Sequence, residues 1–125
     1  MNTLLLSNSP VANPPSSSPW DLMVDGNNNI AVVSGPYALA QDVASAIQTF
    51  QGEVYYDTTQ GLPYLSDVMG QPYAPSILQP ALNAAALSVP GVLAAKTNIS
   101  TFVNRRASGV IDITDATGEA LGIHF

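Results

Sequence analysis

Two Gly/Pro punctuation marks, Gly35-Pro36 and Pro90-Gly91, constrain this chain more than any other feature, because neither a helix nor a central strand runs through them. Between and beside them the hydrophobic period changes. After Gly35-Pro36, the residues Tyr37, Ala40, Val43, Ala44, Ile47 and Phe50 recur at helical spacing opposite Gln41, Asp42, Ser45 and Gln48, which predicts an amphipathic helix. Gly52 is expected to close it with a left-handed C-cap.

Before the first break, Trp20, Leu22 and Val24 alternate to one side. Gly26-Asn27-Asn28-Asn29 tolerates positive φ, and Ile30 to Val33 returns, the pattern of a β-hairpin. Glu53 to Asp57 reads as a short, partly buried extended piece ended by Gly61, with a helical turn or two over Pro63 to Met69. Past Pro72 and Pro75, Ile77, Leu78, Ala81, Leu82, Ala85 and Val89 predict a second helix. Pro80 fits it if Ser76 is the N-cap; otherwise the helix starts later or kinks.

Beyond Pro90-Gly91, the segments Val92 to Val103, Gly109 to Thr114 and Ala120 to Phe125 read as a β-meander with turns at Asn104 to Ser108 and at Thr117-Gly118. The expected fold is therefore α+β: an N-terminal β-hairpin and two main helices packed on a small antiparallel C-terminal sheet. Ser7 to Pro19, with five serines and four prolines, buries too little apolar area to offset the entropy of ordering. Residues 1–19 are thus expected to form a flexible arm and residues 20–125 a single domain.

Composition narrows the function. Three basic against nine acidic residues argue against nucleic acid or an anionic membrane surface as partner. Without cysteine and with His124 the one histidine, no thiolate or zinc site is expected, and no cofactor. The apolar run Leu4 to Leu6 is too short for a signal peptide, and no stretch has the length of a membrane span, so a cytosolic chain is expected. Only 10% of residues are charged, which suggests that much of the surface faces other proteins.

Several pieces taken in order carry a family resemblance: Gly35 to Asp42 with its Gln41-Asp42 pair, then Thr49-Phe50-Gln51-Gly52-Glu53, Asp57, Gly61-Leu62-Pro63-Tyr64, Gly70 and Val89-Pro90-Gly91-Val92. From about Leu22 to the C-terminus the chain resembles the small baseplate wedge, or sheath initiator, proteins of contractile tails, found in phages, tailocins and type VI secretion systems. It departs from them at Val54 and Gln51, where relatives often have an aromatic and a basic residue. The resemblance implies a non-enzymatic subunit of the inner baseplate of a virion, assembled in the host cytoplasm. Its partners would be the tail sheath protein, larger wedge proteins and tube or hub neighbours in a sixfold assembly. Sheath arms would pair with its strands and so template the first sheath ring. Of the possible parent machines, the Ser/Pro-rich start suits a phage best.

Within that frame Gln41, Asp42, Gly52, Glu53, Asp57, Gly61, Pro90 and Gly91 are the family landmarks. The strand Glu119 to Phe125, with Leu121, Ile123 and Phe125 on one side, is a candidate docking edge, or else a strand paired within its own sheet. Arg105 and Arg106, two of three basic residues, are candidates to meet acidic neighbours. Some relatives are labelled lysozyme-like, and Glu53 with Asp57 is the close carboxylate pair that a peptidoglycan hydrolase would use. The other reading of Glu53 is a structural carboxylate that caps backbone N–H groups or pairs with Arg105 or Arg106.

Overall fold

The computed structural model describes residues 2–6, 22–64, 75–104 and 106–125. Its elements are β1 (Asn2–Leu4), β2 (Val32–Ser34), α1 (Pro36–Gln48), α2 (Pro75–Ser88), β3 (Val92–Val103), β4 (Arg106–Asp115) and β5 (Ala120–His124). The strands form two antiparallel sheets, β1-β2 and β3-β4-β5, and the α+β architecture expected from the sequence is the one observed. Ser7 to Pro19, Trp20, most of the turn predicted over Pro63 to Met69, and Gly70 lie outside the described residues.

The predicted hairpin is present but smaller, and it has a third participant. Leu22 to Val24 returns along Ile30 and Ala31 around a turn in which the Asp25 carboxylate accepts the N–H groups of Asn27 and Asn29, with Asn28 in the left-handed region. Residues 2–6, grouped by composition with the Ser/Pro arm, are instead paired: β1 lies against β2, and Leu5 donates to Ala31 while accepting from Met23. Leu4 to Leu6 is apolar enough to be worth ordering.

α1 begins at Pro36, where a missing N–H costs nothing, and ends at Gln48. Gly52 is therefore not its cap. Thr49 takes that place in extended backbone, because a parallel bridge between Phe50 and Leu62 pulls the chain out of the helix. Gln41 departs from its predicted polar face and is buried, only 2% exposed, while Phe50 is exposed. On α2 the buried stripe is Leu78, Leu82 and Ala86, followed by Val89 just past the helix; Ile77, expected inside, is exposed. Ser76 is a helical residue rather than a cap. Pro80 lies within the helix on its exposed side, where water can serve the carbonyl left without a donor.

Leu39, Val43 and Ile47 of α1 and the α2 stripe close over Ile111, Ile113 and Ile123 of the C-terminal sheet, with Leu62 completing the core. Val89-Pro90-Gly91-Val92 is a tight turn between α2 and β3, closed by the Val92 N–H on the Val89 carbonyl, and a β-carbon on Gly91 would meet Leu39. The β3-β4 turn is tighter than predicted. Val103 pairs with Arg106, so β4 begins at Arg106, and Asn104 supplies the positive φ that such a two-residue connection needs.

Candidate functional site

The C-terminal sheet has two edges, and the hydrogen-bond phase of its strands decides what each presents. In an antiparallel ladder the N–H and C=O of successive residues point alternately toward one neighbour and away from it. Gly109 and Phe125 exchange both bonds, each at 3.1 Å, and the Asp115 N–H bonds the Glu119 carbonyl. Residues 119, 121, 123 and 125 therefore face β4 with their main chain, and Ala120, Gly122 and His124 turn theirs outward. Among the described residues nothing pairs with those outward groups.

The same phase fixes the side chains. Leu121, Ile123 and Phe125 share the face that packs on the core: Ile123 is wholly buried, and Leu121 and Phe125 are half-buried against the cluster. They anchor the strand, and the surface left for a partner is the main chain of its outer side. Ala120, Gly122 and His124 are exposed on the opposite face, beside Asp112, which accepts an Asn98 amide bond at 3.4 Å. Small side chains at two of these three positions leave the approach to the edge open.

The opposite edge, β3, is closed at its centre. Thr97 is buried, its N–H donating to Asn83 Oδ1 at 2.8 Å and its hydroxyl to the same oxygen at 2.7 Å. Its carbonyl accepts from Gln79 Nε2 at 2.9 Å. Both amides come from α2. Sequence reading passed over them, although Gln79 and Asn83 stand four apart on an Ala-rich helix and so share a face next to Leu78 and Leu82.

The residues expected to be family landmarks divide among separate elements. Gln41 joins α1 to the first strand: Nε2 donates to the Leu4 carbonyl at 2.5 Å and Oε1 accepts the Leu6 N–H at 3.1 Å. Asp42, beside it, is half-buried. Gly52, Glu53, Asp57 and Gly61 all lie in one loop, 49–62. Its ends are joined by the Leu62 N–H on the Thr49 carbonyl and the Gln51 N–H on the Leu62 carbonyl, both 2.9 Å. A β-carbon on Gly61 would lie 2.5 Å from the Phe50 carbonyl carbon, and its φ of 96° is in the glycine region, so only glycine allows this closure.

Inside the loop, Glu53 to Asp57 is a run of turns and not the extended piece predicted. Tyr55 and Tyr56 stand in solvent, 90% and 75% exposed, with their rings edge to face at 5.1 Å. Tyr64 is half-buried, its hydroxyl on the Ile47 carbonyl at 2.6 Å. The Glu53 carboxylate accepts the Phe50 N–H at 3.0 Å across the turn, the capping role that was one of its two readings.

Asp57 accepts from the Thr59 hydroxyl, the Thr59 N–H and the Gln60 amide, and these bonds hold its carboxyl below the ordinary 3.8. A general acid needs the opposite shift. Arg105 lies outside the described residues, as does the side chain of Arg106. Among the described residues no group of side chains is arranged to hold a metal ion, and no helix is long and apolar enough to cross a membrane.

Comparison with known proteins fits this geometry to a family. The chain is 22% identical over 108 residues to the contact site A protein of Dictyostelium discoideum, a stretch that covers 85% of this chain and 19% of that protein. The chain thus spans about a fifth of that relative's length. A family model, the contractile injection system sheath initiator, matches residues 18–118, which take in the hairpin, both helices and most of the C-terminal sheet. Matched over most of its length, the chain belongs to the sheath initiator family of contractile injection systems, whose role is structural.

Proposed function

We propose that this chain is a non-catalytic wedge subunit that joins the inner baseplate of a phage-type contractile tail to its sheath. It starts the first sheath ring by taking an extended sheath arm along β5. The observation that carries this reading is the outer side of β5, unpaired among the described residues, in a sheet whose other edge is occupied at its centre. Strand addition asks little of the partner's sequence, because the main chain supplies the affinity.

Three outward residues carry a donor and an acceptor each, hence about six bonds at roughly 1 kcal/mol apiece. That total of about 6 kcal/mol falls short of the ~8 kcal/mol of a micromolar complex, before the entropy of association is charged. A single arm therefore holds weakly, and a ring of arms binding together holds firmly. Other baseplate neighbours are best met by the exposed apolar side chains of the N-terminal sheet, Leu4 opposite Val32 and Val24 opposite Ile30.

Hydrolysis has no comparable support. Glu53 and Asp57 are both engaged within their own loop, and Asp57 is held in its charged form.

Gly122→Pro tests the proposal. Its N–H points outward, so proline spares the β4 ladder while removing a donor and adding bulk at the docking side. Electron microscopy of tails carrying Gly122→Pro should show baseplates and tubes without sheath, and Gly122→Ala should assemble normally. Fully sheathed particles with the proline variant would overturn the assignment of the edge.

A further inference from the structure

We infer that Gln79 and Asn83 are a built-in seal that makes the C-terminal sheet one-sided, so that it accepts a strand along β5 and none along β3. The inference rests on the proposed strand addition and goes beyond it by naming the residues that fix its direction. A three-stranded sheet with two usable edges is hazardous for an initiator. Each added strand leaves a further edge, and head-to-tail pairing of β5 of one copy with β3 of the next is heterologous and does not close. One usable edge limits self-pairing to a dimer.

The seal sits where it is most effective. Thr97 is the middle residue of the outward-facing set on β3, its partner Ile111 lying across the non-bonded side of the ladder. Both of its main-chain groups are taken by α2 side chains at 2.8 and 2.9 Å, and its hydroxyl shares the Asn83 oxygen. An incoming strand would have to break all three bonds and lift α2 from a buried residue. On β5, among the described residues, the outward groups need no such displacement.

The exposed parts of Leu121 and Phe125 also describe the strand that fits. It carries apolar side chains at alternate positions on the core side, and residues of any small or polar kind facing Ala120, Gly122 and His124.

The test uses the full chain, comparing wild type with Gln79→Ala/Asn83→Ala by sedimentation velocity over a concentration series and by hydrogen exchange at the Thr97 amide. In dilute solution that amide should exchange roughly tenfold faster in the double variant, the loss of one hydrogen bond. As concentration rises the double variant should form species larger than dimers and the amide should regain its protection, whereas wild type stops at a dimer or below. Adding Gly122→Pro to the double variant should return it to dimers at most.

Species no larger than wild type, in a double variant whose circular dichroism is native and whose Thr97 amide stays open, would overturn the seal. Dimers with Thr97 re-protected and unaffected by Gly122→Pro would uphold the seal and count against β5 as the docking edge. If the double variant does not fold, Asn83→Ala alone carries the same comparison, since it frees the Thr97 N–H and leaves Gln79 in place.

Discussion

Replacing Gln41 should detach the first strand from the rest of the molecule. The side chain is buried on α1, and its two ends hold the Leu4 carbonyl and the Leu6 N–H on a segment thirty-five or more residues away in sequence. In Gln41→Met the volume is nearly kept and both bonds are lost, so packing is not the variable. Each partner left without its mate costs about 1–2 kcal/mol when water cannot fully replace it. The sum is about 2–4 kcal/mol, a large share of the roughly 5–15 kcal/mol that holds a domain of this size.

A ceiling applies, because residues 2–6 can let go of Ala31, Met23 and β2 and recover backbone entropy instead of staying in place unsatisfied. The expected loss is therefore about 2 kcal/mol, or roughly 8 °C in the melting temperature. Hydrogen exchange separates the local event from the global one. The Leu6 amide should lose its protection in Gln41→Met, while amides at the centre of β4, such as that of Ile111, change only with global stability. A Leu6 amide as protected as in wild type, with a melting temperature within about 2 °C, would refute the reasoning.

Gly61→Ala and Gly52→Ala form a second comparison, since both glycines have positive φ but only Gly61 meets backbone where a β-carbon would go. Denaturant midpoints should report about 1 kcal/mol for Gly52→Ala and about 3 kcal/mol for Gly61→Ala, and equal costs would show that the loop closure does not depend on the close approach. A third concerns acid. Asp115 is held below 3.8 first by the Thr117 hydroxyl bond and further by backbone N–H groups, as Asp57 is by Thr59 and Gln60. A folded carboxyl below its unfolded value adds stability above about 3.8, lost as pH falls through the folded value. Urea midpoints should thus be level at neutral pH and fall below about 3.8, with a shallower fall in Asp115→Asn; an unchanged slope would remove Asp115 from the account.

What the sequence determined by itself is local. Gly35-Pro36 and Pro90-Gly91 stop and start elements through backbone sterics that need no partner, and the 3.6-residue and two-residue periods mark which chemistry lies between them. Those signals sufficed for the two helices, the meander and the α+β class, and the order of landmarks sufficed for the family.

The tertiary structure decided everything that depends on what lies across the chain. Gln41 looked polar and outward because its partners, Leu4 and Leu6, come from a strand that no local pattern places against α1. Glu53 to Asp57 became turns because the Phe50–Leu62 bridge shortens the span its loop must cover. Most of all, whether β5 and β3 are open or closed follows from hydrogen-bond phase and from two amides on α2. An edge exists only once strands are paired, and its vacancy is a property of the sheet and its neighbours that no single strand's residues encode.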